Sequence, residues 1–545
     1  MIHSLEIENF KAFGRRTRIP LAPITLIFGE NSAGKSSILH ALNLLKQTRE
    51  SREAGALLLP RTEKGIVDLG SFQDLLYNHE LSRPLTFKIE TSARFVPAHL
   101  KNFEAKKTGV ELTFSRPSLD EEVKLTKLSI FFGNQPQPLI TFQPTDVPRD
   151  FFLRSILPLL GRERRIIRSR LRAIKCVDIS DDPSHWQSIY SEHNVRRVEI
   201  LRSLKEMWNS VSEERSFELH AASLEGSDLE EEEERKKVLS LHKDSIQFYS
   251  KDFTLSAFIE RRRNFAIGTI VGIDGFMPLA QARFGFITIP EDATFERKAI
   301  GPWDVRDFTL LAARGLEYAL DSLFPLGPFR RPPERWYIFT GTSPQDVGYQ
   351  GDLLPDLLFR RPDLVSNANE WLKRLGIGYS LKVCSVGAQV KDLFEVRLID
   401  NRRGAGIEVS LSDVGFGISQ LLPFVVQSLA AEDQIISIEQ PEVHIHPKLQ
   451  AALGDLLAEA IGPSRKNQFI IETHSEHLIL RILRRIRESQ SSQKQPTLRP
   501  EDVCVLYVSN EDGGANVTEL PILPEGEFAK DWPKGFFDER AKELF

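Results

Sequence analysis

The sequence has few of the features that mark secreted or membrane proteins. It contains three cysteines in 545 residues, Cys176, Cys384 and Cys504, and they form no CxxC pair. Isolated cysteines of this kind indicate reduced thiols, which excludes a disulfide framework and a zinc knuckle. No run of about 18 apolar residues occurs, which excludes a membrane-spanning helix, and the first residues lack the pattern of a signal peptide. We therefore expect a cytoplasmic protein without membrane contact.

An excess of charge of one sign is also lacking. The 71 basic and 76 acidic residues leave a formal net charge of −5. This balance neither predicts nor excludes DNA binding, because local patches matter more than the sum. Sustained heptads are absent as well, which excludes a long coiled coil. The length and the 41% of apolar residues predict a globular protein of about two or three domains.

The most specific motif lies near the N-terminus. Residues 29–36 read Gly-Glu-Asn-Ser-Ala-Gly-Lys-Ser, a complete GxxxxGK[ST] phosphate loop. An apolar run, Ile24–Phe28, precedes it and a helical pattern, Ser37–Leu45, follows it, which is the context that the motif requires. It predicts nucleotide binding, with Lys35 at the β- and γ-phosphates and the Ser36 hydroxyl on Mg²⁺. The predicted nucleotide-binding residues of this loop are Gly29, Asn31, Ser32, Ala33, Gly34, Lys35, Ser36 and Ser37.

The acidic residue that completes such a site lies far along the chain, roughly 400 residues later. There the apolar run Gln434–Ile438 leads into Glu439-Gln440-Pro441-Glu442, and a second run, Phe469–Ile471, leads into Glu472-Thr473-His474. Both runs are typical of buried strands. We therefore predict an α/β fold whose mixed nucleotide-binding sheet is assembled from N- and C-terminal lobes and interrupted by a helical and α/β insertion.

This arrangement resembles the ABC-type ATPases of the SMC and RecF group. It is most similar to the RecF-like and OLD-like bacterial ATPases of anti-phage defence, such as the ATPase subunit of Septu-type systems, which is also found with retrons. The likeness covers about residues 1–90 and 320–545 and implies ATP and Mg²⁺ as cofactors. It implies that Glu439 holds Mg²⁺ through water and that His474 senses the γ-phosphate.

The same resemblance gives Ser412–Gln420 the place of the ABC signature, which would open a helix over Leu421–Leu429. Ser412, Gly415 and Gly417 would then offer hydroxyl and backbone donors to the γ-phosphate of a second copy. The implied assembly is a head-to-tail homodimer or a higher homo-oligomer.

Two glutamines are of interest in this comparison. Gln73 is the candidate Q-loop glutamine, and hence a Mg²⁺ ligand, or else an ordinary loop residue. Gln440 stands where the related ATPases have a catalytic glutamate, and an amide can orient water but cannot take its proton. We therefore expect slow or negligible ATP hydrolysis, unless Glu442 or His474 serves as the base.

Four histidines follow the two acidic segments. His444 and His446, together with His474 and His477, have a spacing compatible with a metal site. The alternative is that His444 and His446 belong to the D-loop and pack or hydrogen-bond across the dimer. We favour the D-loop, because no acidic or cysteine partner completes a ligand set.

The composition divides the chain into three predicted domains. They are an N-terminal ATPase lobe over 1–145, a charged helical arm over 146–263, and a C-terminal ATPase lobe with a tail over 264–545. Within the arm, Arg165, Arg168 and Arg172 are predicted on one helix face, where they would contact a DNA backbone. The alternative is a solvated helix face that pairs with the acidic run Glu230–Glu234.

The predicted C-terminal lobe contains two further segments of interest. Arg330 and Arg335, in a loop similar to one of the defence ATPases, would contact DNA or nucleotide or else be structural. The aromatic residues of the tail, Phe528 and Trp532 among them, would dock on the ATPase core or bind a partner. The segment after His474 is too short for the metal-binding nuclease domain of OLD proteins, so we expect no intrinsic nuclease.

Together these observations and the resemblance predict an ATP-binding subunit of a bacterial anti-phage defence complex. It would sense DNA or nucleotide state and regulate a separate nuclease, of HNH type, through ATP-dependent dimerisation. One alternative is a RecF-like repair ATPase with DNA-stimulated hydrolysis. Another is a non-enzymatic scaffold that ATP stabilises.

Overall fold

The described residues of the computed structural model form three β-sheets flanked by helices. The structure describes residues 1–51, 57–63, 65–94, 107–133, 135–145, 171–180, 182, 191, 202–203, 256, 269–274, 276–278, 286–288, 299–300, 303–387, 392–402, 406–491, 498–511 and 513–533. In chain order the elements are β1 (Ile2–Glu8), β2 (Thr17–Pro20), β3 (Ile24–Gly29), α1 (Lys35–Glu50), α2 (Phe72–Leu75), β4 (Leu85–Ser92), β5 (Lys107–Ser115), β6 (Lys124–Phe132), β7 (Ile140–Pro144), β8 (Leu171–Ile179), β9 (Thr269–Asp274), β10 (Met277–Pro278), β11 (Phe286–Thr288), β12 (Ala299–Ile300), α3 (Trp303–Ser322), β13 (Leu323–Leu326), β14 (Tyr337–Ile338), α4 (Leu354–Arg360), α5 (Pro362–Arg374), β15 (Tyr379–Ser385), β16 (Leu393–Asp400), β17 (Ile407–Ser410), α6 (Phe416–Ala430), β18 (Ile435–Glu439), α7 (Pro447–Ala460), β19 (Gln468–Glu472), α8 (Glu476–Ser491), β20 (Val503–Glu511) and β21 (Gly514–Glu519).

The nucleotide-binding sheet has the strand order β13-β18-β19-β3-β20-β21. Strand β3, from the N-terminal part of the chain, lies parallel between β19 and β20, which come from the C-terminal part. All six residues of β3 are buried, which explains its unbroken apolar run, since parallel strands are covered on both faces. The prediction of a sheet assembled from both ends of the chain is therefore confirmed.

A second, antiparallel sheet of eleven strands contains β1, β2 and β4–β12. Its strand β8 pairs with β7 on one side and β9 on the other, so the sheet continues across the predicted boundary at residue 145. The prediction of a helix was therefore wrong over Leu171–Ile179. In this segment the buried residues Ile174 and Cys176 are two positions apart, which is the period of a strand. The many arginines nearby favoured the prediction of a charged helix instead.

This correction changes the predicted basic helix face. Arg172 lies on β8 opposite Ile273, so it cannot continue a helix through Arg165 and Arg168. Those two arginines, like the acidic run Glu230–Glu234, lie outside the described residues. A shared helix face for the three arginines is thus wrong, while DNA contact by any of them stays a prediction.

The third sheet is antiparallel and has the order β14-β16-β15, with β17 added on β16. One hydrophobic core joins the second sheet to α1 and α3. Another joins the nucleotide-binding sheet and the third sheet to α4–α8. All three cysteines are free thiols, as predicted. None of the helices in the described ranges is long and apolar enough to cross a membrane.

Candidate nucleotide-binding site

The phosphate loop connects the end of β3 to the start of α1. Gly29 and Gly34 have φ values of 142° and 103°, a region that L side chains rarely adopt. A Cβ atom on Gly29 would lie 2.0 Å from the Val508 carbonyl oxygen, and one on Gly34 would lie 2.6 Å from the Ala12 methyl group. Any other residue at these two positions would strain the backbone and clash with neighbouring atoms. Glycine is therefore required at both positions for the loop to pass this close to its neighbours.

The N-terminus of α1 is open towards this loop. Its N-cap is Gly34, which provides no side-chain cap, so the first backbone N–H groups are available to an anion. Lys35 is 4% exposed, and its Nζ donates to the carbonyls of Gly29 (3.2 Å) and Glu30 (2.7 Å). Burial lowers the pKa of Lys35, and the nearby Glu472 carboxylate opposes this shift. A phosphate would give this ammonium a stronger acceptor than the carbonyls do.

Two carboxylates lie beside the loop. Glu439 and Glu472 are register partners at the ends of the parallel strands β18 and β19, and Ser36 lines the same cavity as Glu472. Burial raises the pKa of Glu472; the nearby Ser36 hydroxyl opposes this shift and the charge of Glu439 adds to it. One oxygen of Glu472, Oε2, is buried without a hydrogen-bond partner among the described residues. His40 Nε2 lies 3.7 Å from Glu439 Oε1.

This donor set fits Mg²⁺. One hydroxyl and two carboxylates, one of which has an unsatisfied buried oxygen, are hard oxygen ligands, and Mg²⁺ takes its remaining ligands from phosphates and water. Across the part of the chain that the structure describes, no group of three or more His, Cys, Asp or Glu could hold a metal by itself. The site therefore suits a cation that arrives with a nucleotide.

Glu439 lines a cavity of about 210 Å³ together with His40, while Glu472 and the phosphate loop share a larger one of about 480 Å³. The larger cavity is lined by the phosphate loop, Lys35, Ser36, His40, Gln440, Glu472 and His474. Gln440 has a φ of 44°, which is uncommon for a side chain other than glycine and typical of functional turns. Its N–H donates to the Glu472 carbonyl over 2.8 Å, which holds the turn in place. Burial and the charge of Lys35 lower the pKa of His474, which favours the neutral ring.

Glu442, the proposed alternative base, does not line this cavity. It is 8% exposed, and its Oε1 accepts a hydrogen bond from the His474 backbone N–H over 2.6 Å. Burial raises the pKa of Glu442, and the hydrogen bond from His474 opposes the shift. In the structure Glu442 holds the backbone of His474, and its role as a base stays a prediction.

The structure leaves Gln73 outside the cavity. Its side-chain amide donates to the His79 carbonyl over 3.4 Å, and Gln73 does not line the cavity. Its neighbour Ser71 instead caps the short helix α2 in a capping box with Asp74. Gln73 lies in the short helix α2 and not in a loop, and the structure does not bring it to Ser36.

The signature-like residues also lie outside the cavity of their own chain. Ser412 is in a 3₁₀ turn, and exposed Gly415 is the N-cap of α6 without a side-chain cap. The helix begins at Phe416, five residues before its predicted start. A Cβ on Gly417 would lie 2.5 Å from the His444 carbonyl oxygen, so α6 packs directly on the segment that follows Glu439.

The histidines after β18 have structural roles. His446 is the N-cap of α7, and its Nδ1 accepts from the Lys448 backbone N–H over 3.2 Å. His444 adopts a left-handed backbone conformation with φ of 63°. These roles favour the D-loop interpretation over a histidine metal site.

The C-terminal tail docks behind the phosphate loop. The Trp532 ring packs edge-on against Phe28, the last residue before Gly29, with centroids 5.5 Å apart, and Phe528 packs against Trp532 at 4.8 Å. Tyr507 also contacts Phe28 and donates to Glu30 Oε1 over 3.4 Å. The predicted docking of the tail aromatics on the ATPase core is thus observed for these two residues.

The sequence analysis missed three residues of the cavity as site residues, Ala12, His40 and Glu472. The signal for Glu472 was its place at the end of an apolar strand beside the one that carries Glu439. The signal for His40 was its spacing of four residues from Ser36, which places both on one face of a helix.

Comparison with known proteins supports the nucleotide site. Residues 1–141 and 362–479 match the AAA ATPase domain family, and residues 498–545 match a family described as "Protein of unknown function (DUF3696)". None of the curated proteins matches the chain. The ATPase match contains the phosphate loop, Glu439 and Glu472, and it confirms the predicted α/β P-loop ATPase fold.

Solved structures of SMC heads are similar in outline. The Smc head domain of Pyrococcus furiosus, bound to the C-terminal domain of ScpA, is 12% identical with a TM-score of 0.37, and the match covers 100% of this chain and 98% of that one. The SMC head domain of Thermotoga maritima is 10% identical with a TM-score of 0.33, covering 96% and 99%.

Proposed function

We propose that the protein is an ABC-type ATPase in which bound ATP joins two copies of the chain. The observation that carries this proposal is the division of the site. The phosphate loop, Gln440, Glu472 and His474 line one cavity, while the signature-like residues that begin α6 lie outside it. A head-to-tail second copy would bring its exposed Gly415 and the open N-terminus of α6 to the γ-phosphate, where a helix dipole stabilises negative charge.

Within one copy, each group has a distinct part in holding the nucleotide. The backbone N–H groups at the start of α1 and Lys35 would bind the phosphates. Ser36, Glu439 and Glu472 would hold Mg²⁺, which neutralises phosphate charge when bound. His474, kept neutral by burial and Lys35, would donate or accept a hydrogen bond at the γ-phosphate and so distinguish ATP from ADP.

Hydrolysis is the slow step in this proposal. Gln440 lines the cavity in place of a carboxylate, and its amide can orient water without accepting the proton. One oxygen of the buried Glu442 accepts from the His474 backbone N–H, and Glu442 does not line the cavity. ATP therefore acts mainly as a ligand that holds the dimer closed.

The biological context follows from the resemblance stated above. We propose a subunit of an anti-phage defence complex that responds to DNA and regulates a separate nuclease of HNH type. A RecF-like repair ATPase is the second candidate, and an ATP-stabilised scaffold is the third. No observation on the described residues favours either of these two over the first.

The test combines ATP binding, ATP turnover and mass in solution, each with and without double-stranded DNA. Tight binding, almost no turnover and a dimer that forms with ATP but not with ADP support the proposal. Turnover that DNA stimulates would favour the repair ATPase. Assembly that a Lys35→Ala variant retains without ATP would favour the scaffold.

A further inference from the structure

A further cavity, of about 350 Å³, lies beside α6 and shares no lining residue with the cavity at the phosphate loop. It is lined by the loop 331–338, the start of α4 and the first turns of α6. Four prolines and the exposed side chains of Trp336 and Ile338 provide its apolar walls. A cavity of this size that combines apolar walls with a few polar groups is typical of a binding site.

One polar atom of this cavity has no partner. Asp356 lines it from the first turn of α4, and its Oδ1 is buried without a hydrogen-bond partner among the described residues. Burial raises the pKa of the Asp356 carboxyl. A buried carboxylate oxygen that has lost water without gaining a donor is unfavourable. A donor from a ligand would remove this cost.

The charges that line the cavity select the sign of that ligand. They are the three carboxylates of Glu334, Asp352 and Asp356 and one cation, Arg331. Arg331 is already engaged, because its Nη2 lies 2.7 Å from Glu334 Oε1. The charges of Asp352 and Asp356 are therefore left without a cation among the residues that line the cavity. Phosphate and other anions would be repelled, whereas a cation with an apolar body fits.

An arginine side chain meets these requirements. Its planar guanidinium can donate parallel hydrogen bonds to Asp356 and stack on the Trp336 ring, which the compact, strongly hydrated ammonium of lysine does less well. Strand β14 borders the cavity and pairs with β16 on one side, and no other strand of the described residues covers its second edge. An extended segment that carries the arginine could lie along this edge.

The wall of the cavity is joined to the signature-like segment. Arg335, in the same loop, donates two hydrogen bonds to Asp413, over 2.7 and 3.0 Å, which favours the structural interpretation of this arginine. Leu411 and Ser419, on either side of the signature-like segment, line the cavity. The residues that line the cavity at the phosphate loop, which would face this segment from a second copy, include no arginine, and Lys35 there is buried. The cation should therefore come from a different protein.

We propose that this cavity is the docking site for an extended, arginine-containing segment of a separate protein subunit. The inference rests on the proposed function for the existence of that subunit. The preference for arginine rests on the cavity alone, so the two can be tested separately.

The first experiment needs no nucleotide. The full-length protein, labelled with fluorotryptophan, is titrated with the peptide acetyl-Leu-Arg-Leu-amide and with the same peptide containing citrulline, which has the shape of arginine without its charge. The Trp336 resonance, assigned with Trp336→Phe, should shift with a Kd of about 1 mM, as expected of so short a ligand. The citrulline peptide should bind about tenfold more weakly, the value of one charge-assisted hydrogen bond. An unshifted Trp336 resonance, or equal binding of both peptides, overturns the proposal.

The matched variants are Asp356→Asn and Glu370→Gln, the latter at an exposed carboxylate on α5 outside the cavity. Asp356→Asn should weaken binding of the arginine peptide about tenfold, and Glu370→Gln should not change it. The Tm of Asp356→Asn should not fall, because a buried charge without a partner is removed. A lower Tm with unchanged peptide affinity would show that Asp356 only stabilises the first turn of α4.

Mass in solution distinguishes a separate subunit from a second copy. Asp356→Asn should form the ATP-dependent dimer as the wild-type protein does. Loss of that dimer, with ATP binding intact, would assign the arginine to a second copy and overturn the proposal. If the wild-type protein binds no ATP, the proposed function fails, and the peptide titration still decides whether the cavity binds arginine.

Discussion

Glu439 and Glu472 end two adjacent parallel strands in register, side by side at the phosphate loop. Burial and the neighbouring charge of Glu439 raise the pKa of the Glu472 carboxyl, so this arrangement is unfavourable. The Ser36 hydroxyl and the Lys35 ammonium oppose this shift in part. A bound cation would compensate both carboxylates, so this pair links the apo structure to its ligand.

Glu472→Gln should therefore weaken the Mg²⁺-dependent part of ATP affinity by about 10- to 100-fold, the usual effect of altering a group near a metal. The stability of the nucleotide-free protein should not fall, because one of two like charges is removed. Calorimetric titration of ATP with Mg²⁺ and with EDTA measures this difference. Glu432→Gln, at an exposed carboxylate before β18, is the control; an equal loss in EDTA would contradict a metal role.

Gln440→Glu should raise the rate of ATP hydrolysis by about 10²- to 10⁴-fold, the contribution of a positioned general base. Both side chains have the same length and meet the same backbone conformation, so the turn should persist. Steady-state phosphate release at saturating ATP provides the measurement. An unchanged rate at unchanged affinity would mean that residue 440 does not face the attacking water.

Gly417→Ala should destabilise the protein by about 1–3 kcal/mol, the cost of overpacking a rigid contact. A Cβ atom on residue 417 would lie 2.5 Å from the His444 carbonyl oxygen, whereas a Cβ atom on residue 415 would have no neighbouring atom within 4 Å. Gly415→Ala is therefore the matched control for stability. Thermal melting and ATP-dependent dimer mass should both change for Gly417→Ala; similar melting of the two variants would refute the contact.

Trp532→Ala should cost about 2 kcal/mol of stability, because the indole packs on Phe28 and is half-buried. Phe28 precedes Gly29 directly, so ATP affinity should fall as well. Trp336→Ala, at a ring that is 55% exposed, is the control and should change neither quantity. A tail that only recruits a partner would leave melting and ATP binding unaltered in both variants.

Acidification should destabilise the nucleotide-free protein through two histidines. Burial lowers the pKa of His3 to about 4, and burial with Lys35 lowers the pKa of His474. Such residues bind protons more readily in the unfolded chain. The free energy of unfolding is therefore highest above about pH 6.5 and decreases as the pH falls towards the native pKa values of the two histidines. Urea unfolding at pH 7 and pH 5 measures the loss, and His3→Asn and His474→Asn should each reduce it. The raised pKa values of the buried Glu442 and Glu472 have the opposite effect and stabilise the folded protein as the pH falls. If neither histidine variant changes the difference in stability between pH 7 and pH 5, the histidines are not its cause.

Much of the nucleotide-binding sheet could be predicted from the sequence. The phosphate loop and the two distant apolar runs are local patterns, and parallel strands that are buried on both faces must be apolar throughout. The distance along the chain between the phosphate loop and Glu439 was enough to predict that a long insertion interrupts the site. Strand β8 could not be predicted, because its pairing with β7 and β9 is a tertiary interaction that outweighs the helical preference of an arginine-rich segment.

The sequence by itself determined the presence of a phosphate loop and of Glu439 and Gln440 at the end of a distant apolar strand. Only the tertiary structure decided which carboxylate meets Ser36, that Glu442 holds His474, and that Arg330 is buried. Burial and charge partners depend on residues hundreds of positions apart. No local pattern records them, because the free energy of a buried charge is set by its surroundings in space and not by its neighbours along the chain.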